Sequence, residues 1–213
     1  MNHRQNAHLL KRTRKYIRKV FRKKRARVLL FHNRTHIGSV VKIAYKMARK
    51  YSLNADDHLV LLLSAWFHNV GYISKTSNYE NGSAERAEKF LKKRRVRNDI
   101  IERVKATIQS TAAKHQPTEL IEQILADADQ FYLGRKKFLS NTNLLRKEHE
   151  WLEGKKISKE TWYKRTIDFI QSHSFHTEYA REHLANGVSN NLAKLIDKLP
   201  QPDQQLAKVK PFI

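Results

Sequence analysis

Leu61-Leu62-Leu63-Ser64-Ala65-Trp66-Phe67-His68-Asn69-Val70-Gly71-Tyr72 closes the most apolar segment of the chain on a polar pair. Leu59 to Phe67 is apolar except for Ser64, a pattern that predicts a helix buried nearly all round, and Gly71 supplies its stop. His68 and Asn69 therefore end a buried helix. Burying an unpaired imidazole or amide costs on the order of a few kcal/mol, so the pair needs partners. One reading is a hydrogen-bonded core histidine, the other a metal ligand.

Composition narrows what surrounds this segment. A chain of 213 residues fits one domain with a substantial core, and six Gly and four Pro leave little room for the turns of a sandwich or barrel. The expectation is an all-α protein. With no Cys there is no disulfide, thiolate zinc site or cysteine nucleophile, so any metal must sit on His, Asp, Glu or Asn. The longest apolar run is about nine residues against the roughly 20 a membrane span needs, and no signal-peptide core is evident, which reads as a soluble cytoplasmic protein.

The formal charge is +23, from 43 Lys+Arg against 20 Asp+Glu. Eleven Lys or Arg fall between Lys11 and Arg27, and Lys92-Lys93-Arg94-Arg95 with Arg97 forms a second knot. Such clusters suit nucleic acid, anionic lipid or a phosphorylated small molecule, and a solvated basic face gives the same excess.

Along the chain, Leu9, Leu10, Tyr16, Ile17, Val20 and Phe21 make one stripe of a basic amphipathic helix, assigned to 1–28 and expected to pack on the domain that follows. Asn33 is the expected N-cap of the next helix, with His32 just outside it and His36 on its first turn, turned with Val40 and Ala44 toward the apolar face. Asn78 to Ser83 reads as a loop, with Ser83 capping a helix through Leu91, and Asn98-Asp99 caps another that runs out before Pro117. Ile121, Ile124, Leu125, Ala128 and Tyr132 mark a core face flanked by Asp127 and Asp129. At 100° per residue Asp129 stands about 80° from the stripe centre and Asp127 about 120°, so Asp129 is better placed to reach inward. Further helices follow at roughly 136–151, 159–172, 177–186 and 189–199. His149, His173, His176 and His183 lie in polar surroundings and are expected at the surface. The domain thus spans 29–200, with a tail at 201–213 and no second domain.

His36, His68 with Asn69, and Asp129 are each expected at the inward edge of a different helix. Imidazoles and a carboxylate converging on one cavity suit a divalent ion with open positions for water and phosphate oxygens.

At these residues the sequence resembles the HD superfamily of metal-dependent phosphohydrolases. Phe31-His32-Asn33 through His36 is similar to the family's aromatic-His-Asn segment ending in His. Ala65-Trp66-Phe67-His68-Asn69-Val70-Gly71-Tyr72 resembles its Ala-Trp-Phe-His-Asp-Ile-Gly-Tyr signature. Thr111 to His115 resembles its Thr-x-x-x-His segment, and Ala126-Asp127-Ala128-Asp129 with Leu133-Gly134 its Asp-Ala-Asp-Leu segment. The resemblance covers about Leu30 to Arg135 and reaches the later helices more loosely. It implies a single HD-type helical domain hydrolysing a phosphate ester, often of a nucleotide. It implies one or two divalent ions (Mn, Mg, Fe, Zn or Ni) on residues matching His36, His68 and Asp129, with Asn69 in the remaining ligand position. It further implies His32 as general acid toward the leaving oxygen, and His115, with Asp127, toward the substrate phosphate.

Two departures bear on activity. Asn69 stands where the family has the Asp of its name, and Asn81-Gly82 where relatives often carry Gly-His-Glu. An amide oxygen can coordinate but brings no charge, so metal affinity is expected to fall and a carboxylate bridging two ions is missing. Two functions follow from the sequence: a single-metal phosphohydrolase on a nucleotide-like substrate, or a degenerate domain that binds a phosphorylated ligand or nucleic acid without turnover.

Overall fold

The all-α expectation holds. The computed structural model describes residues 3–73, 78–112 and 115–200, and among these it has nine α-helices, three short 3-10 turns and no strand. The tail assigned to 201–213 lies outside the described residues. No helix among them is long and apolar enough to cross a membrane. Chain contacts gather into two compact units, Met1–Asp129 and Gln130–Ile213. The first contains α1 (His3–Val20), α2 (Arg34–Lys50), α3 (Ala55–Phe67), α4 (Tyr79–Lys92), α5 (Asn98–Gln109) and nearly all of α6 (Leu120–Gln130). The second contains α7 (Phe138–Glu153), α8 (Lys159–Ser172) and α9 (Glu178–Ile196).

In the first unit α3 is the central helix. The Asn54 side chain accepts from Asp56 N and Asp57 N to start it, and those two acids sit where the helix dipole favours negative charge. From Leu59 through Ala65, and at Phe67, every residue is buried. Burial of each such apolar side chain stabilises by about 1.5–3 kcal/mol, which fixes α3 in rotation and leaves its C-terminal end nowhere to turn. The N-terminal helix α1 packs on it. Tyr16 of α1 meets Phe67 at 6.0 Å and Phe90 of α4 at 4.7 Å between ring centroids. Helix α2 packs along α3 through a face that includes Ile37, Val40, Ala44 and Met47. On the solvent side Arg103 of α5 pairs with Asp57, and Arg97 with Asp56 at 3.2 Å.

The expected loop at Asn78–Ser83 is a correction. Asn78 is itself the N-cap, its side chain accepting from Asn81 N, and α4 starts at Tyr79 with Ser83 inside its second turn. The Asn-Gly pair imitated a turn, while Ser83 is used for a tertiary contact described below. Nor do Asn98 and Asp99 cap α5, whose N-cap is Arg97.

In the second unit the two helices expected at 177–186 and 189–199 are one, α9. Gly187 does not break it. A Cβ on Gly187 would lie 2.2 Å from Gly134 O, so the glycine permits a close approach of the turn Phe131–Gly134. Asn191 Nδ2 holds that turn by donating to Leu133 O at 2.7 Å and Arg135 O at 3.1 Å.

His173 is not the surface residue its polar neighbours suggested. Its ring stacks on Phe169 at 5.2 Å and meets Phe175 edge-on at 4.9 Å, and its Nε2 is buried with no hydrogen-bond partner among the described residues. Burial, with the charge of His176 adding to it, pushes the imidazole down to about 4 from the ordinary 6.5. The unfolded chain therefore takes up this proton first as pH falls, and stability is lost between those two values. His173→Phe is expected to melt closer to its neutral-pH temperature at about pH 4.5 than the wild type does. Equal acid-induced drops in Tm for the two proteins would exclude this cause.

Candidate metal centre

Three helices of the first unit deliver one side chain each to a common point. Asn33 starts α2 by accepting from Thr35 N at 2.8 Å and His36 N at 3.2 Å, while its own Nδ2 donates to Leu30 O at 2.7 Å. That double hold fixes the chain from Leu30 into the first turn and points His36 inward, as the sequence led one to expect. His68 is the C-cap of α3, and Asp129 comes from the last turn of α6. His36 Nε2 lies 2.9 Å, and His68 Nε2 3.2 Å, from the same Asp129 Oδ1. One ligating atom from each residue lies within 4.8 Å of the other two. Ligands about 2.1 Å from one ion stand roughly 3–4 Å apart, so side-chain shifts under about 1 Å bring this donor set onto an ion. The residues fit a divalent metal.

The tautomer of His68 follows from its second nitrogen. Nδ1 is 2.9 Å from Ala65 O, and a carbonyl only accepts, so Nδ1 donates. A neutral His68 then turns the lone pair of Nε2 toward a carboxylate oxygen. Two arrangements relieve that clash: an imidazolium that donates to Asp129, or a cation held between Nε2 and Asp129. Burial acts first on His36 and lowers its affinity for a proton, Asp129 opposes this, and His32 and His68 add to the lowering. Burial alone would raise the Asp129 carboxyl, but hydrogen bonds and charges from His36 and His68 outweigh it and hold the group far below the usual carboxylate range.

His32 is buried beside this group, its ring edge-on to His36 at 5.7 Å. It stacks on Tyr72 at 4.0 Å and 14°, and Tyr72 stacks in turn on Tyr79 at 4.1 Å and 11°. Asn69 is buried, and its Nδ2 has no hydrogen-bond partner among the described residues. Asp127, expected on the flank less able to reach inward, is fully buried, while the Asp129 side chain keeps 20% exposure. His115 stands apart from the three: its side chain is 45% exposed and its Nε2 is 3.7 Å from Glu122 Oε2. Asn81 accepts from Gln109 Nε2 at 2.8 Å on the exposed surface.

Sequence reasoning missed Ser83. Its Oγ donates to His68 O at 2.7 Å and accepts from Gly71 N at 2.8 Å, both buried, so α4 ties down the turn that carries His68 and Asn69. A Cβ on Gly71 would sit 1.8 Å from Tyr79 O, which is why the turn needs glycine there. The Gly71-to-Ser83 interval has no periodicity to reveal it. Ser83→Ala leaves a buried N–H and a buried carbonyl unpaired and is expected to destabilise by about 2 kcal/mol. Gly71→Ala should destabilise further, because backbone must move. Urea denaturation of both variants checks the order, and a Ser83→Ala change within about 0.5 kcal/mol of wild type would remove the clamp from the account.

No protein-family model matches this chain, and no curated protein or solved structure matches it.

Proposed function

We propose that the protein is a divalent-metal-dependent phosphohydrolase of the HD type, acting on a nucleotide-like or other phosphate ester through a single ion. The observation that carries this reading is the pairing of His68 Nδ1 with Ala65 O, which presents the Nε2 lone pair beside Asp129 and His36. His36, His68 and Asp129 would hold the ion, with the Asn69 amide oxygen as a neutral fourth donor. When bound, such an ion supplies Lewis acidity toward the phosphoryl oxygens and toward the attacking water.

The chain's own residues supply the rest. Asp129 is the negative member of the donor set: a bound ion would keep it ionised, and without the ion a proton shared with His36 or His68 does so. His32, held flat against Tyr72, is the proton donor: as water attacks phosphorus and the ester P–O bond breaks, an imidazolium there protonates the departing alkoxide. The aromatic stack limits the ring's freedom, so the proton is delivered from a fixed direction.

A second reading rests on Asn69. With an amide in place of a carboxylate, and its nitrogen buried without an acceptor among the described residues, the centre has one negative charge fewer for the ion. A domain so altered binds a phosphorylated ligand or nucleic acid without turning it over.

Metal analysis and calorimetric titration separate these readings. The phosphohydrolase reading expects the wild type to bind manganese or magnesium, His68→Ala to bind none, and Asn69→Asp to bind more tightly and hydrolyse a phosphate ester faster, because the added charge meets the ion. In metal-free protein the same Asn69→Asp change buries an unpaired charge and should lower Tm, with added manganese restoring it. A destabilised Asn69→Asp protein that manganese does not rescue, together with a wild type that binds no ion, would defeat the catalytic reading.

A further inference from the structure

A cavity of about 290 Å³ opens between α1, α2 and α3, with Arg14 and Arg18 on one side, Arg34, Thr35 and Gly38 on another and Trp66 closing it. Arg14 and Arg18 are four residues apart on α1 and so project from one face of that helix. None of the three arginines forms an ion pair among the described residues. The reason is written in the sequence: Met1 to Ala55 holds 17 Lys and Arg and not one Asp or Glu. In the second basic knot, by contrast, Lys92 pairs with Glu88 at 2.6 Å and Arg97 with both Asp56 and Asp99, while Arg94 and Arg95 line a separate cavity with Arg12.

The placement of Arg34 adds to the imbalance. It is the first residue of α2, whose first turn has no acid, so a cation stands at the helix end where the dipole is already positive. Three guanidinium groups and that helix end repel one another around an open concavity. Their planar forks match the oxygens of a phosphate, and the indole of Trp66 offers an apolar wall beside them. Gly38 leaves the space clear, with no atom within 4 Å of where its Cβ would be.

We propose that this cavity binds the phosphate or diphosphate group of a small phosphorylated molecule, at a site separate from His36, His68 and Asp129. The site stands whether or not those three residues hold a metal. Its volume is at the small end of ligand pockets, which suits one anionic group with a short apolar neighbour rather than a strand of nucleic acid.

The test is calorimetric titration of the full chain, treated with chelator, with inorganic pyrophosphate. Wild type is expected to bind, and Arg34→Gln and the double change Arg14→Gln/Arg18→Gln each to weaken binding roughly tenfold or more. Gly38→Leu keeps every charge and fills the cavity, so it should abolish binding while the melting temperature holds. His36→Ala should bind pyrophosphate as the wild type does, which separates this site from the metal reading. Arg12→Gln/Arg95→Gln removes the same charge as the α1 double change but from outside the cavity, and should alter affinity less than about twofold. The proposal is overturned if wild type binds no pyrophosphate, if the Arg12/Arg95 control loses as much as the cavity variants, if Gly38→Leu still binds, or if only an oligonucleotide binds.

Discussion

The hydrogen bond from His68 Nδ1 to Ala65 O is the constraint on which the candidate centre depends. It lies within the last turn of α3, so the ring is oriented by the helix that carries it and not by a neighbour that can move. The helix in turn cannot rotate, because its residues from Leu59 through Ala65, and Phe67, are buried on all sides. An apolar core thus aims a polar atom: whatever meets Nε2 must come to it, and Asp129 and His36 do so from α6 and α2. Ser83 extends the same logic past the helix end by holding His68 O and Gly71 N together.

Buried polar groups in such a setting are either matched or costly. Ser83, His36, His68 and Asp129 have partners, but the Asn69 amide nitrogen has none among the described residues. A divalent ion on two neutral imidazoles and one carboxylate would keep one net positive charge. A second carboxylate at position 69 would have cancelled it. An amide there would therefore weaken the hold on such an ion and at the same time leave the centre more attractive to a phosphate anion, so Asn69 bears on the two proposed readings in opposite directions.

Features confined to one helix were legible in the sequence. Asn33 as a cap, His36 on the inward face and the buried run that ends at His68 each follow from local propensity and a 3.6-residue period. Asp129 was placed by the same geometry, although Asp127 proved buried too, because a face drawn from apolar residues alone underestimates how much of a packed helix is covered. What was not read is partly local and partly a matter of contacts between segments. Asn-Gly at 81–82 looks like a turn until Asn78 caps the helix ahead of it, Gly187 looks like a break until Gly134 is found against it, and His173 looks solvated until Phe169 and Phe175 enclose it. Asn78 to Asn81 is an ordinary capping interval and Phe169 to His173 an i, i+4 one, so those two were local signals outweighed by the Asn-Gly pair and by polar neighbours, whereas the approach of Gly134 to Gly187 has no interval that local rules recognise.

The net charge of +23 says less about ligands than its distribution does. Charges farther apart than a Debye length, about 8 Å at physiological ionic strength, scarcely act on one another through solvent. The sum over the chain therefore steers polyanions only weakly, and the groups that matter are those sharing one concavity. Where basic residues lie near carboxylates, as Arg97 does near Asp56 and Asp99, they are consumed by pairing. In the first 55 residues no carboxylate exists to consume them, and folding brings Arg14, Arg18 and Arg34 to one opening with no neutralising partner among the described residues. A fold that brings like charges together this way forgoes stability that scattered lysines would have kept, and an anion seated among the guanidinium groups is the interaction that returns it.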